Sequence, residues 1–163
     1  MLSFATLLFL FTSILVSESQ GDTCPAQSPK NVYYLGDKQV TWSDAIIACQ
    51  AVGMSLVSIQ SQAKQDEIIN YLEVRKVNYT GLDNSIWISG NRRLDKVKWF
   101  WLAVEPIIYT NFLPGEPNNS GGNEECLTVV YSGRPGWNDI ACSSKFYPLC
   151  EKEICCAGCN CCS

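Results

Sequence analysis

The cysteines constrain this chain more than any other residue type, because ten of them occur in 163 residues. Four are spread through the body of the sequence, one stands near the N-terminus, and five crowd the C-terminus. The body cysteines are Cys49, Cys126, Cys142 and Cys150, and the terminal ones are Cys24, Cys155, Cys156, Cys159, Cys161 and Cys162. This number favours disulfide bonds in an oxidising, extracellular environment, although sequence alone does not fix which cysteines pair.

The N-terminal segment is consistent with such an environment. Residues 1–16 form an uncharged apolar run, and residues 17–21 then turn polar. We expect residues 1–21 to be a signal peptide and the protein to be secreted. An uncleaved anchor is the alternative because no basic residues precede the run, but the run is shorter than the roughly 20 apolar residues of a membrane-spanning helix. No later stretch has the composition of a membrane span.

The remaining chain fits one domain with a single core, which we place at residues 24–152, followed by a cysteine-rich tail at residues 153–163. The full sequence carries a formal net charge of -4, and Glu18 is the one charge in the leader, which leaves -3. Nucleic-acid partners usually require a basic face, so we expect none here.

Apolar residues recur at helical spacing in two segments, each preceded by a residue that can cap a helix, Thr41 and Ser61. The predicted inward positions are Trp42, Ala45, Ile46 and Cys49 in the first helix and Ile68, Ile69 and Leu72 in the second. Aromatic and β-branched runs predict strands at residues 31–35, 39–41, 56–59, 87–89, 98–102, 126–131 and 146–151. This order predicts an α+β domain with an antiparallel sheet.

Oxygen-bearing side chains gather late in the sequence, on either side of Cys126. They are Glu116, Asn118, Glu124, Asn138 and Asp139. Calcium takes about six to eight oxygen ligands, so five such residues could bind Ca²⁺ and leave coordination positions open for a ligand. Asn- and Glu-rich loops are more often only solvated turns when they occur alone.

Taken in order, these pieces resemble the C-type lectin domain family from about residue 31 to residue 151. The resemblance rests on the first helix, the strand at 56–59, Trp87 to Gly90, the run Glu116-Pro117-Asn118, the run Trp137-Asn138-Asp139 and the four body cysteines. It implies the C-type lectin fold, with two helices, antiparallel sheets and a long calcium-binding loop. It also implies the bridges Cys49–Cys150 and Cys126–Cys142 and a cis peptide bond before Pro117.

The resemblance further implies that the five oxygen-bearing residues bind both Ca²⁺ and a sugar. Two neighbouring sugar hydroxyls can coordinate calcium while they donate to carboxylates and accept from amides. The order Glu, Pro, Asn resembles that of mannose-type members, so we expect mannose, fucose or N-acetylglucosamine as ligands. Carboxylates must be deprotonated to bind calcium, so acid and chelator are expected to release the ligand.

Four further residues match an auxiliary calcium site of the family, and two of them are amides where carboxylates would bind more strongly. They are Asn91, Asp95, Asn119 and Glu125. The alternative is that the acids among them are simply exposed. The tryptophans Trp87, Trp99, Trp101 and Trp137 are expected to belong to the core rather than to a sugar platform.

We do not expect an enzyme, because histidine is absent, no catalytic constellation has a supporting motif, and calcium here positions a ligand without activating water. A protein-binding module of the same fold, toxin-like or coagulation-modulating, with a silent sugar site is the main alternative. A structural protein that binds mineral or ice is a third.

Two sequons begin at Asn78 and Asn118. The first is a candidate N-glycosylation site, whereas a glycan on the second would block the metal site, so we expect Asn118 to be unmodified. Cys24 and the tail cysteines are predicted to link copies of the chain into a homo-oligomer through disulfides, with a knot within one chain as the alternative.

Overall fold

The computed structural model describes residues 30–154, in which two α-helices pack on a six-stranded sheet. The helices are α1, Trp42–Ala51, and α2, Gln62–Val74. The strands are β1 (Lys30–Leu35), β2 (Ser55–Leu56), β3 (Ile86–Asn91), β4 (Glu124–Tyr131), β5 (Pro135–Ala141) and β6 (Tyr147–Ile154). The predicted signal peptide, Cys24 and the tail cysteines lie outside the described residues.

The main path of the sheet runs β1-β6-β3-β4-β5, and the short strand β2 also pairs with β6. All of these pairs are antiparallel except β3 with β6, which are parallel at Ile86 and Trp87. The predicted combination of two helices with a largely antiparallel sheet is therefore confirmed. Neither helix in residues 30–154 has the length and apolar character needed to cross a bilayer.

Both helices begin at the predicted caps. The Thr41 hydroxyl accepts from the Asp44 backbone N–H at 3.3 Å, and the Ser61 hydroxyl accepts from the Lys64 N–H at 3.2 Å. Such caps satisfy backbone donors that the first helical turn leaves free. The buried helix positions are Trp42, Ala45 and Cys49 in α1 and Gln65, Ile68 and Leu72 in α2, with Ile46 and Ile69 partly buried.

Two predicted strands are reduced to single bridges. In residues 39–41, Val40 alone pairs, with Phe146. In residues 98–102, Phe100 alone pairs, with Asn91 on one side and Pro106 on the other. The backbone turns on both sides of Phe100, because the Lys98 N–H is bound by the Asp95 carboxylate and the Trp101 N–H by the Glu105 carbonyl.

Strand β5 is not among the predicted strands, and it carries the polar residues Asn138 and Asp139. It pairs with β4 along most of its length, for example Thr128 with Asn138 and Leu127 with Asp139. The predicted strand at residues 56–59 also starts one residue earlier and ends at Leu56. Its continuation remains close to the sheet, since the Val57 N–H donates to the Leu149 carbonyl at 2.9 Å.

The structure contains both disulfide bonds that the family resemblance implies. Cys49 of α1 is joined to Cys150 of β6, with a sequence separation of 101, and Cys126 of β4 is joined to Cys142, with a separation of 16. Cys49, Cys126 and Cys150 are fully buried in one hydrophobic cluster. The second bridge ties β4, which carries the predicted ligand Glu124, to the residue after β5, the strand that carries the predicted ligands Asn138 and Asp139.

Candidate metal centre and ligand site

Strand β5 is anchored in the core directly beside the predicted ligands. Trp137 is fully buried, and its indole N–H donates to the Gln65 side-chain oxygen of α2 at 2.8 Å. The rings of Trp101, Tyr109 and Phe112 all pack edge-on against it. This packing fixes the backbone that presents Asn138 and Asp139, and sequence reasoning did not single out Gln65 as a support.

The Asp139 carboxylate is fully buried and joins β5 to the loop at residues 116–124. Its Oδ1 accepts from the Asn118 backbone N–H at 2.9 Å, and its Oδ2 accepts from the Asn119 N–H at 3.0 Å. Hydrogen bonds to an ionised acceptor are among the stronger ones in proteins. Asp139 therefore fixes the loop against the strand.

Glu116 and Asn118 contact each other directly across the Glu116-Pro117 bond, which is cis. Glu116 Oε2 accepts from the Asn118 backbone N–H at 3.1 Å, and Glu116 Oε1 accepts from the Asn118 side-chain amide at 2.9 Å. The Asn118 side-chain oxygen in turn accepts from the Ser120 N–H at 2.7 Å. The carboxylate and the carboxamide are thus held side by side.

The remaining two predicted ligands lie at the edges of the same network. Glu124 Oε2 accepts from the Ser120 N–H at 2.6 Å, and the Glu124 N–H donates to the Asn119 side-chain oxygen at 3.1 Å. The buried Asn138 side chain donates to the Asp139 carbonyl at 2.8 Å. The structure therefore brings all five predicted ligand residues into one region built from a loop and the adjacent strand.

Arg92, which follows β3, is a participant that sequence reasoning missed. Its guanidinium donates to the Glu124 backbone carbonyl from Nε at 3.0 Å and from Nη2 at 2.7 Å, and Nη2 also lies 3.2 Å from Asp139 Oδ2. The guanidinium stacks over Trp99 at 4.9 Å, and the Arg92 side chain is only 13% exposed. These partners lie 32 and 47 residues away along the chain, so no local sequence pattern indicates them.

Burial and the Asp139 carboxylate affect the protonation of the two glutamates of the site. Burial raises the pKa of Glu116, and the hydrogen bond and negative charge of Asp139 raise that pKa further. Burial also raises the pKa of Glu124. The hydrogen bond from the Ser120 N–H and the positive charge of Arg92 act in the opposite direction and lower that pKa. Burial and the neighbouring Asp139 carboxylate thus both disfavour the ionised form of Glu116.

The donor set fits calcium. The three carboxylates carry three negative charges and Arg92, which contacts the one of Asp139, carries one positive charge, so that two negative charges are left for a divalent cation to balance. Within residues 30–154, no three acidic or cysteine side chains converge closely enough to form a metal cage by themselves. The side chains of Asn118 and Asn138 would add two amide oxygens to the three carboxylates. Calcium accepts such mixed sets of carboxylate and amide oxygens.

The four residues of the auxiliary site are engaged elsewhere. Asn91 donates from its side chain towards the Ser89 and Phe100 carbonyls, and Asn119 closes the ligand loop. Asp95 accepts from the Val97 and Lys98 N–H groups, and these bonds, the one from Lys98 first, hold the pKa of its carboxyl below the usual range. Glu125 pairs with Lys96. The auxiliary set is thus used in contacts within the protein.

The other predicted positions are placed as follows. Trp87, Trp101 and Trp137 are buried in the core, as predicted, whereas Trp99 is partly buried beneath Arg92. Asn78 is exposed, and its side-chain oxygen accepts from the Thr80 N–H at 3.2 Å.

Comparison with known proteins agrees with this architecture. Residues 38–152 match the family model of the lectin C-type domain. Salivary C-type lectin 2 of Aedes albopictus is 31% identical over 137 residues, which cover 81% of this chain and 88% of that protein. The C-type lectin mannose-binding isoform of Oxyuranus scutellatus is 30% identical over 152 residues, which cover 90% of this chain and 94% of that protein.

A solved structure is similar over nearly the same region. The C-type carbohydrate-recognition domain of cow CD23, determined in the presence of a GlcNAc2Man3 oligosaccharide, superposes with a TM-score of 0.65 and 30% sequence identity. The match covers 82% of this chain and 98% of that domain. The predicted C-type lectin fold is thereby confirmed, and the chain belongs to the C-type lectin domain family, a generally non-enzymatic family of binding proteins that includes carbohydrate-binding members.

Proposed function

We propose that this protein is a secreted, calcium-dependent lectin that binds mannose-type sugars, namely mannose, fucose or N-acetylglucosamine. The observation that carries the proposal is the single hydrogen-bonded network that joins Glu116, Asn118, Glu124 and Asp139, with Asn138 beside it. These five residues would hold the calcium ion. When bound, calcium supplies open coordination positions for two neighbouring sugar hydroxyls.

The protein's own side chains then select the hydroxyls. A sugar hydroxyl has one proton to donate and two lone pairs to share. Glu116 and Glu124 offer carboxylate oxygens that accept a hydrogen bond from the hydroxyl, while Asn118 and Asn138 carry amide N–H groups that donate a hydrogen bond to it. Carboxylate and amide are held side by side at Glu116 and Asn118, with Glu116 first in the chain.

This order of acceptor and donor supports the mannose-type preference. Residues 119–125 also contain no aromatic residue that could stack on the apolar face of galactose. The Oxyuranus relative is named a mannose-binding isoform, and the cow CD23 structure was determined in the presence of a GlcNAc2Man3 oligosaccharide, so that both agree with this class of sugar. Recognition of microbial glycans in innate immunity would be a use for such a site.

A glycan array tests the proposal directly. The protein is applied once with calcium and once with excess EDTA. We expect it to bind mannose, fucose or N-acetylglucosamine ligands in calcium and not in EDTA. The double variant Glu116→Gln with Asn118→Asp exchanges acceptor and donor, so its preference should move towards galactose. The variant Glu125→Gln is the matched control, because it removes the carboxylate next to Glu124 in β4, which pairs with Lys96.

Two results would overturn the assignment. Binding to mannose-type ligands that persists in EDTA would exclude calcium as the organiser. Calcium-loaded protein that ignores these ligands and binds terminal galactose would exclude the proposed selectivity. Binding to a protein ligand without any glycan would favour the protein-binding alternative.

Assembly and modification complete the proposal. Residues 1–21 would be removed on secretion, and Asn78 would carry an N-glycan. Cys24 and the tail cysteines would link copies of the chain through disulfides, which raises avidity by about 10² to 10⁴ when several sites engage one surface. On non-reducing SDS gels we expect bands at two or more times the mass of one chain. Monomer alone under those conditions would exclude covalent linkage.

A further inference from the structure

Arg92 and Lys96 place two positive charges beside the calcium ligands, at the end of β3 and in the turn that follows it. We infer that these residues are resident cations that take the place of an auxiliary calcium ion, so that each chain binds a single calcium. Arg92 also positions Asp139 and the Glu124 carbonyl before the metal arrives. This inference rests on the proposed function, because it concerns the same ligand set.

Arg92 contacts two kinds of oxygen that a metal ion could otherwise bind. It donates twice to the Glu124 backbone carbonyl, at 3.0 and 2.7 Å, and once to Asp139 Oδ2 at 3.2 Å. Its own backbone N–H donates to the Glu125 carbonyl at 2.9 Å, which fixes the start of the side chain against β4. The planar guanidinium suits this arrangement, since its donors have a fixed geometry.

Lys96 neutralises the next acidic residue along β4. Its ammonium donates to both carboxylate oxygens of Glu125. Lys96 adopts a left-handed backbone conformation, with φ of 63°, and its N–H donates to the Arg92 carbonyl at 2.9 Å. The turn between the two basic residues is thus closed by a backbone hydrogen bond, and it brings Arg92 to the Asp139 carboxylate and Lys96 to the Glu125 carboxylate.

The positive charge of Arg92 explains why its contact with Asp139 should affect calcium binding. Asp139 has no solvent exposure, so in the absence of metal its charge is compensated by two backbone N–H groups and by Arg92. Removing one partner of a buried ion pair is strongly destabilising, because it leaves an uncompensated charge. Calcium at the proposed site would restore the missing positive charge, so the loss should appear mainly in calcium-free protein.

The test compares Arg92→Met with Arg93→Met. Methionine keeps an unbranched apolar chain over Trp99 but removes the charge and the donors. Arg93 is the matched control, because it is an exposed arginine in the same turn that contacts Ser43 and the Trp42 ring instead of the calcium ligands. Melting temperatures are measured in EDTA and in saturating calcium, and calcium stoichiometry is measured on the natural chain by isothermal titration calorimetry.

We expect one calcium per natural chain and a rise in melting temperature on calcium addition. For Arg92→Met, the melting temperature in EDTA should fall, and the calcium-induced rise should exceed that of the natural chain by roughly 5 °C or more. Arg93→Met should give the natural rise. A purely structural role for Arg92 would lower the melting temperature equally in both conditions.

The outcomes separate this inference from the proposed function. An equal calcium-induced rise in the natural chain and in Arg92→Met would overturn the role of Arg92. Two calcium ions per natural chain would overturn the resident-cation assignment, and this result does not depend on whether the variant folds. The absence of any calcium response in the natural chain would overturn the proposed function and this inference together.

Discussion

Replacing Asp139 by asparagine tests how the site is held together without metal. The substitution keeps the size of the side chain but leaves one oxygen where the carboxylate had two. In the natural protein these oxygens accept from the Asn118 and Asn119 N–H groups and from Arg92. The new NH₂ group must face at least one of these donors, so the variant loses an acceptor and the ion pair together.

The expected cost follows from these contacts. Hydrogen bonds to charged groups contribute about 1.5 to 3 kcal/mol each, and an unpaired charge on Arg92, whose side chain is 13% exposed, adds to the loss. Relief of the repulsion between Asp139 and Glu116 offsets about 1 kcal/mol of it. We therefore expect Asp139→Asn to lower the free energy of unfolding by about 3 kcal/mol, out of a typical total of about 5 to 15 kcal/mol.

The measurement is urea unfolding followed by circular dichroism in EDTA, so that loss of calcium binding does not contribute. Glu125→Gln is the control, because its ion pair involves a Lys96 side chain that is 62% exposed, and such pairs contribute about 0 to 1 kcal/mol. If Asp139→Asn and Glu125→Gln were destabilised equally, the buried carboxylate would not be the joint between loop and strand, and the reasoning would be refuted.

Three further predictions concern pH, the second disulfide and glycosylation. The raised pKa values mean that ionised Glu116 and Glu124 destabilise the calcium-free fold, and that this destabilisation disappears as pH falls through the raised values. Calcium must displace these protons, so its affinity by calorimetry should begin to fall at a higher pH than the ordinary glutamate value of 4.5, and a constant affinity down to 4.5 would contradict this. Replacing Cys126 and Cys142 together by alanine opens a loop with a sequence separation of 16 and should cost about 3 kcal/mol in guanidinium unfolding, whereas an unchanged midpoint would show that the bridge contributes nothing. Asn78→Gln should reduce the intact mass of secreted protein by one N-glycan, and an unchanged mass would exclude modification there.

The fold was predictable where short-range patterns decide the structure. Thr41 and Ser61 cap their helices because their hydroxyls reach N–H groups three residues ahead, a relation visible in sequence. Strand β5 was missed because pairing with β4 and burial of Trp137 override the turn preference of Asn138 and Asp139. The predicted strand around Phe100 failed because turns on both sides leave one residue to pair.

The candidate site was predictable in its ligand residues but not in their support. The run Glu116-Pro117-Asn118 and the pair Asn138-Asp139 are recognisable as motifs. Arg92 has no such signal, since its role depends on a fold that brings β3 beside residues far along the chain. The auxiliary residues illustrate the opposite case, because their types suggest metal binding while the structure uses them in turns and an ion pair.

A crystal structure of the chain grown with calcium and methyl α-mannoside tests the central claim most directly. We predict one calcium ion bound by Glu116, Asn118, Glu124, Asn138 and Asp139, with two neighbouring hydroxyls of the sugar completing its coordination. A sugar bound away from these residues, or density for the sugar without a metal ion beside it, would contradict the account.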